Sequence, residues 1–169
     1  MQQILPIVLL IGVSIVIYYV MRAIRRGANR LISGGSYKLE KEMTGQVWEF
    51  ESGVDKESLI ATIKNHFPET SPRLAWKGNW ICARNGDMLG FAYGVVSIEY
   101  ATGTIRHVKA GMKFTETNGT TTAVFNFISW TQSNGVCPYA KEMVTLTETL
   151  KALVLSVDSN AKITSSAHS

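Results

Sequence analysis

The stretch "HVKAGMKFTETNGTTTAVFNF", His107 to Phe127, decides the fold. Its first half places apolar residues at every second position, at Val108, Ala110, Met112 and Phe114. Alternation with period two is typical of a strand that has one buried and one wet face. Asn-Gly between two such runs indicates a tight hairpin, because both central residues of the favoured turn need positive φ. The stretch therefore predicts two antiparallel strands joined at Asn118 and Gly119.

Two further turn signals precede this hairpin at similar spacing. They are Asn85-Gly86 and the segment "ATGT" at Ala101 to Thr104. Short β-rich runs separated by such signals are typical of consecutive antiparallel strands. The region from Trp80 to Trp130 therefore predicts a four-strand antiparallel meander.

A strand and a helix are predicted before the meander. "QVWEFES", residues 46–52, alternates apolar and polar residues, which indicates a half-buried strand. Asp55 is suited to cap the helix "KESLIATIKNHF" that follows, and Pro68 ends it. The apolar residues of this helix fall on one stripe, formed by Leu59, Ile60, Ile63 and Phe67.

A second, longer helix is predicted after the meander, from Pro138 to about Val157. Its apolar residues are spaced by three and four and form a continuous stripe, which indicates a helix that lies on the sheet. They are Tyr139, Met143, Leu146, Leu150, Leu153 and Val157. The expected organisation is a basic linker at 22–45, an α+β domain at 46–160 and a flexible polar tail at 161–169.

The N-terminal run from Ile4 to Met21 carries no charge over eighteen residues. As a helix it would extend about 27 Å, close to the thickness of the hydrocarbon core of a membrane. A secretory signal would need a positive start and a small-residue cleavage site, and a core helix would show a polar face, so neither alternative fits. A transmembrane anchor is therefore predicted at 1–21.

Four arginines follow this run, at Arg22, Arg25, Arg26 and Arg30. By the positive-inside rule, they predict a single-pass protein of the cell membrane with an outside N-terminus and a cytoplasmic domain. They are suited to contact anionic lipid head groups of the bilayer, or they act only as the topology signal.

The distribution of charge argues against a nucleic-acid partner. Residues 22–42 hold six Lys or Arg and two Glu, a net charge of +4, while residues 43–169 hold eleven residues of each sign, a net charge of 0. A nucleic-acid-binding domain would carry its basic residues on the folded part. The predicted domain is neutral, so this class of function is excluded.

Catalytic, metal-binding and cofactor-binding motifs are not found in the sequence. The three histidines are scattered over a helix end, a strand and the tail, and Cys82 and Cys137 form no CxxC pattern. Glycines occur without the spacing of a phosphate-binding loop. No cofactor, metal or catalytic residue is predicted, and both thiols are expected to stay reduced in a cytoplasmic domain.

The order of strand, helix, four strands and long helix over residues 46–158 resembles the β-α-β4-α plan of helix-grip domains (START-like, Bet v 1-like) and TATA-binding-protein-like folds. This resemblance implies a curved sheet that grips the last helix, often around an apolar ligand. Helix-grip folds also host catalysis with few residues, so an enzyme acting on an apolar substrate stays open.

Two further hypotheses follow for function. The first is a binding domain for an apolar or lipid-like ligand, lined by Val108, Met112, Phe114, Phe125, Phe127, Leu146 and Leu150. The same residues are alternatively the filling of an ordinary core. The second hypothesis is a protein-interaction or scaffold module without a small-molecule ligand. Tryptophan is enriched in interface hot spots, and the candidates are Trp48, Trp76, Trp80 and Trp130.

Overall fold

The computed structural model describes residues 15–22, 34–68, 79–95, 106–133 and 135–167. In chain order the elements are α1 (15–22), α2 (Gly34–Thr44), β1 (Gln46–Ser52), α3 (Lys56–His66), β2 (Ile81–Asn85), β3 (Met88–Val95), β4 (Arg106–Thr117), β5 (Thr120–Trp130), α4 (Ala140–Val157) and β6 (Lys162–Ala167). The α+β class is confirmed.

The strands form one six-stranded sheet in the order β2-β3-β4-β5-β1-β6, and every neighbouring pair is antiparallel. The strands β2 to β5 follow one another in space as they do in sequence, which confirms the predicted meander. Helices α2, α3 and α4 pack on one face of the sheet, and the hydrophobic core lies between them and the strands. The predicted position of the last helix on the sheet is thus confirmed.

The two described hairpin turns use positive φ, as the sequence indicates. Asn118 and Gly119 have φ of 53° and 76°, which confirms the turn between β4 and β5. Between β2 and β3 only Gly86 has positive φ, at 59°, and the turn consists of Gly86 and Asp87, one residue later than predicted. The predicted turn at Ala101 to Thr104 lies outside the described residues.

The predicted helices are present, with one shift along α4. The Asp55 side chain accepts a hydrogen bond from the Ser58 backbone N–H at 2.9 Å, which confirms the cap of α3. In α4 the buried stripe ends at Val154, whereas Val157 is exposed. A seven-residue repeat rotates around a straight helix by about 20° in each heptad, so two heptads carry Val157 off the buried side.

Two segments that were assigned to the linker and the tail belong to the folded unit. Residues 34–44 form α2, which packs on α4 and buries Met43 and Glu40. Residues 162–167 form β6, which pairs with β1 along its whole length. Both segments are polar, and Ile163 is the one residue of β6 that packs against the core, so apolar periodicity gave no signal for them.

Among the described residues, no helix is long and apolar enough to cross a membrane. This finding contradicts the predicted transmembrane anchor at 1–21 and, with it, the predicted single-pass location in the cell membrane with a cytoplasmic domain. Residues 1–14 of the predicted span lie outside the described residues.

Candidate interaction surface

The seven residues predicted to line an apolar site are brought together by the fold, in the middle of the core. Those of β4 and β5 point to the helix layer, and those of α4 point to the sheet; each is at most 4% exposed. The Phe125 ring lies 5.3 Å from the Phe127 ring and 5.6 Å from the Trp48 ring, centroid to centroid. Tight aromatic packing of this kind is typical of a filled interior.

The tryptophans predicted as interface residues are occupied inside the fold. Trp48 and Trp80 are buried, and the Trp80 indole N–H donates to the backbone carbonyl of Glu142 at 3.3 Å. Trp130 is half-buried, and Trp76 lies outside the described residues. The three described tryptophans therefore do not form an exposed aromatic surface.

A buried carboxylate ties α2 to the loop before α4. Glu40 is 3% exposed, and it accepts hydrogen bonds from the Trp130 indole N–H at 2.8 Å and from the Cys137 backbone N–H at 2.7 Å. The Gln132 side-chain amide donates to the same carboxylate. A buried charge is stable only when hydrogen bonds replace its hydration, and three donors do so here. This network is a structural clamp.

The two cysteines are free and buried, as expected for packing residues. Burial raises the pKa of the Cys82 and Cys137 thiols to about 11. Because the thiolate is the reactive form, neither cysteine is suited to nucleophilic or redox chemistry at neutral pH.

One hydroxyl–imidazole contact was not foreseen from the sequence. His107 lies with Nε2 at 3.4 Å from the Ser129 hydroxyl and Nδ1 at 3.4 Å from the Thr131 hydroxyl. An activated serine needs a closer base that is itself oriented, usually by a carboxylate. At His107 the group beside Nδ1 is the Thr131 hydroxyl and not a carboxylate, so His107, Ser129 and Thr131 do not form a catalytic triad. Within the described ranges no group of three or more His, Cys, Asp or Glu side chains is placed to hold a metal ion.

Two surface clefts are lined mainly by polar residue types and lie away from the core. The larger, of about 790 Å³, runs between α2 and the end of β6 and is flanked by Lys38, Lys41 and Ser165. The smaller, of about 380 Å³, lies beside Asp158 and Lys162. Neither cleft includes any of the seven predicted ligand residues.

The sheet face opposite α2, α3 and α4 carries no helix among the described elements. We call it the open face. The residues that point away from the core there include Asn85, Met88, Gly90, Ala92, Lys109, Gly111, Lys113, Thr115, Thr122, Val124, Asn126, Ile128, Val47, Glu49, Glu51, Lys162 and Thr164. The predicted wet face of β4 is part of this surface, which confirms that prediction.

Three large apolar side chains stand exposed on the open face. Met88 is 43%, Val124 39% and Ile128 60% exposed. Ile128 is the extra residue of an irregularity in the pairing of β4 and β5, where Lys109 pairs with Ser129 and Ala110 with Phe127. A bulge of this kind re-aims a side chain. The Ile128 side chain lies over Gly111. A Cβ atom added to Gly111 would be 2.9 Å from Ile128 Cδ1.

One register row crosses the open face from end to end. Through successive pairings it runs Asn85, Met88, Lys113, Val124, Glu49, Thr164. Lys113 and Glu49 are therefore one strand away from Val124 on opposite sides. Both charged side chains are exposed, and neither makes an ion pair within the part of the chain that the structure describes.

Of the four arginines predicted to lie at a membrane surface, the structure describes Arg22, which is exposed. Arg25, Arg26 and Arg30 lie outside the described residues. Their contact with lipid stays a prediction. Neither a scan against models of protein families nor a search of curated proteins finds a match for this chain. The function proposed next therefore rests on the geometry of the described residues.

Proposed function

We propose that this chain is a protein-interaction module whose contact surface is the open face. The observation that carries the proposal is the exposure of Met88, Val124 and Ile128 on a sheet face that no described helix covers. An antiparallel sheet with one solvated face normally alternates apolar residues inward and polar residues outward. These three residues depart from that rule.

The layout of the open face matches the anatomy of protein interfaces. Val124 and Ile128 lie on β5 near the centre of the sheet, and charged side chains such as Lys113 and Glu49 lie around them. Interfaces commonly place an apolar centre inside a polar rim. Gly90 and Gly111 face each other on adjacent strands; the Ile128 side chain covers Gly111, and Gly90 stays exposed beside it.

Packing also favours this function over binding of an apolar ligand. The seven residues that would line a ligand site are all in the core, and the two clefts described above are lined by other residues. A domain of this size needs most of its apolar residues to stabilise itself. Binding of an apolar ligand stays a prediction, with no observation that favours it over core packing.

Site-specific photo-cross-linking tests the proposal. A photoreactive amino acid replaces Ile128 in the full chain, in the cells that produce it, and the control replaces Leu155. Leu155 is a matched site because it is apolar and 42% exposed, but lies on α4 in the helix layer.

The expected result is a discrete protein adduct from position 128 and none from position 155. An adduct with a second copy of the chain and an adduct with a different protein both support the proposal. The absence of a protein adduct at position 128, or equal adducts at both positions, would contradict it.

A further inference from the structure

We infer that the partner seated on the open face is a second copy of this chain, related by a twofold axis that runs along β5. The inference rests on the proposed function, since it names the occupant of the same surface. The inference follows from the charges on either side of Val124. Their placement makes the open face complementary to a second copy of itself.

The row through Val124 is antisymmetric in charge. Lys113 on β4 and Glu49 on β1 lie at equal distances on either side of Val124, because both β4 and β1 pair directly with β5. Neighbouring strands are about 4.8 Å apart, which places each charge about 5 Å from the centre line.

A twofold axis along β5 exchanges these two sides when a second sheet is stacked on the first. It brings the Lys113 position of one copy over the Glu49 position of the other, and the reverse pair forms by symmetry. The two copies of Val124 meet on the axis, and the two copies of Ile128 lie near it. An isologous interface requires this kind of self-complementarity.

The open face also has the dimensions that such a dimer needs. Face-to-face sheets pack about 10 Å apart with strand directions within about 30°, a gap that Lys and Glu side chains bridge from opposite sides. Five strands and four register rows cover roughly 20 by 25 Å, or about 500 Å² per copy and 1,000 Å² for the pair. This area is at the lower limit for a specific interface, so the dimer is expected to dissociate in the micromolar range.

Glu49 and Lys113 make no ion pair within the described ranges of one chain. Each is therefore available to the other copy. Glu51, the next outward residue of β1, differs in this respect, because Lys162 of the neighbouring strand lies 3.9 Å from its carboxylate. The two groups that the twofold axis joins are thus free of a salt bridge within the described ranges of one chain.

Charge reversal on the purified full chain tests the inference by sedimentation equilibrium. The variants are Lys113→Glu, Glu49→Lys and the double variant that carries both changes. The matched control is Lys141→Glu, an exposed site on α4 that changes the net charge by the same amount as Lys113→Glu. Circular dichroism of each variant checks that the fold is retained.

Each single reversal places like charges opposite one another at two symmetric positions. We expect the dissociation constant of the dimer to rise about tenfold or more, because exposed charge pairs contribute modestly and two are reversed. The double variant restores opposite charges at both positions, so its dissociation constant is expected to return to within about threefold of the original. The control is expected to leave it unchanged.

Three results would overturn the inference. They are an original chain that stays monomeric up to about 100 µM, single variants that dimerise as well as the original, and a double variant that stays as weak as the single ones. The proposed function is tested separately, because the photo-cross-link at position 128 also reports a partner that is a different protein.

Discussion

Replacing the buried carboxylate of Glu40 with an amide is expected to destabilise the protein strongly. Glu40→Gln keeps the shape of the side chain but removes its charge and one acceptor oxygen. The oxygen that remains can accept from Trp130 and Gln132, and the new amide group then faces the Cys137 backbone N–H, which now lies 2.7 Å from a carboxylate oxygen. A buried donor is left without an acceptor.

The magnitude follows from these contacts. A buried donor left unsatisfied costs about 1–3 kcal/mol, and hydrogen bonds to a charged group are stronger than neutral ones by about 1 kcal/mol. We therefore expect the free energy of unfolding to fall by about 2–4 kcal/mol. With a denaturant slope of about 2 kcal/mol per molar of urea, the unfolding midpoint shifts down by about 1–2 M.

Urea unfolding followed by circular dichroism measures this effect, and Glu42→Gln is the matched control. Glu42 lies on the same helix and loses the same charge, but it is exposed. Its substitution is expected to change the free energy of unfolding by less than about 0.5 kcal/mol. If Glu40→Gln were as mild as Glu42→Gln, α2 would not be clamped to the domain, and the reasoning would be refuted.

Three other predictions concern backbone, carboxylate and thiol groups. Gly35→Ala in α2 is expected to stabilise the protein by about 0.5–1 kcal/mol, and Gly119→Ala is expected to destabilise it by about 1–2 kcal/mol, as measured by urea unfolding. An added Cβ has no atom within 4 Å at either site, but of the two glycines only Gly119 has positive φ. Hydrogen bonds from a serine hydroxyl and two backbone N–H groups lower the pKa of Asp158. The loss of stability caused by Asp158→Asn should therefore be constant above about pH 5 and diminish as the pH falls below about 4. A loss of stability that does not depend on pH would contradict this prediction. Burial raises the pKa of the Cys82 and Cys137 thiols to about 11, so we expect no maleimide reaction in the native state at pH 7. We also expect the free energy of unfolding to fall between about pH 8.5 and pH 11, because the thiols of the unfolded chain ionise first. Rapid maleimide labelling of the native protein would contradict this prediction.

The core of the fold was predictable because its signals are local. Alternation along β4, the Asn118-Gly119 turn and the Asp55 cap each depend on a few adjacent residues, and the structure contains all three. Apolar periodicity also placed α4 on the sheet. These patterns reflect steric and burial constraints that hold in any surroundings.

The elements that the sequence did not predict depend on long-range contacts. Helix α2 is held by Glu40, whose three hydrogen-bond donors lie at least ninety residues away along the chain. Strand β6 is polar and exists through backbone pairing with β1, from Gln46↔Ala167 to Glu51↔Lys162. Hydropathy cannot report either kind of contact.

The open face was predictable only in part. Lysines alternating along β4 indicate a solvated surface, but the exposure of Val124 and Ile128 depends on their register with β4 and β1 and on the irregularity near Lys109. The row that joins Lys113, Val124 and Glu49 crosses three strands that are far apart in sequence. Only the folded sheet shows that these charges surround one apolar centre.

The most direct test of the open face as a contact surface is a distance measured between spin labels. A nitroxide is attached at Thr164→Cys in the full chain, because Thr164 is exposed on β6 at the edge of the open face, and at Ala152→Cys as the control, since Ala152 is exposed on the side of α4 opposite its buried residues. The native cysteines are buried and are not expected to take the label.

In a dimer stacked through the open face with the twofold axis along β5, position 164 lies two strands, or about 10 Å, to one side of the axis. The two labels are then about 20 Å apart across the sheets and about 10 Å apart through the gap, a separation of about 22 Å. Labels at position 152 lie outside two helix layers, each about 10 Å deep, so their separation is expected to be at least about 30 Å. Pulsed dipolar spectroscopy should therefore give the shorter distance at position 164. No dipolar signal at position 164, or a longer distance there than at position 152, would contradict the account.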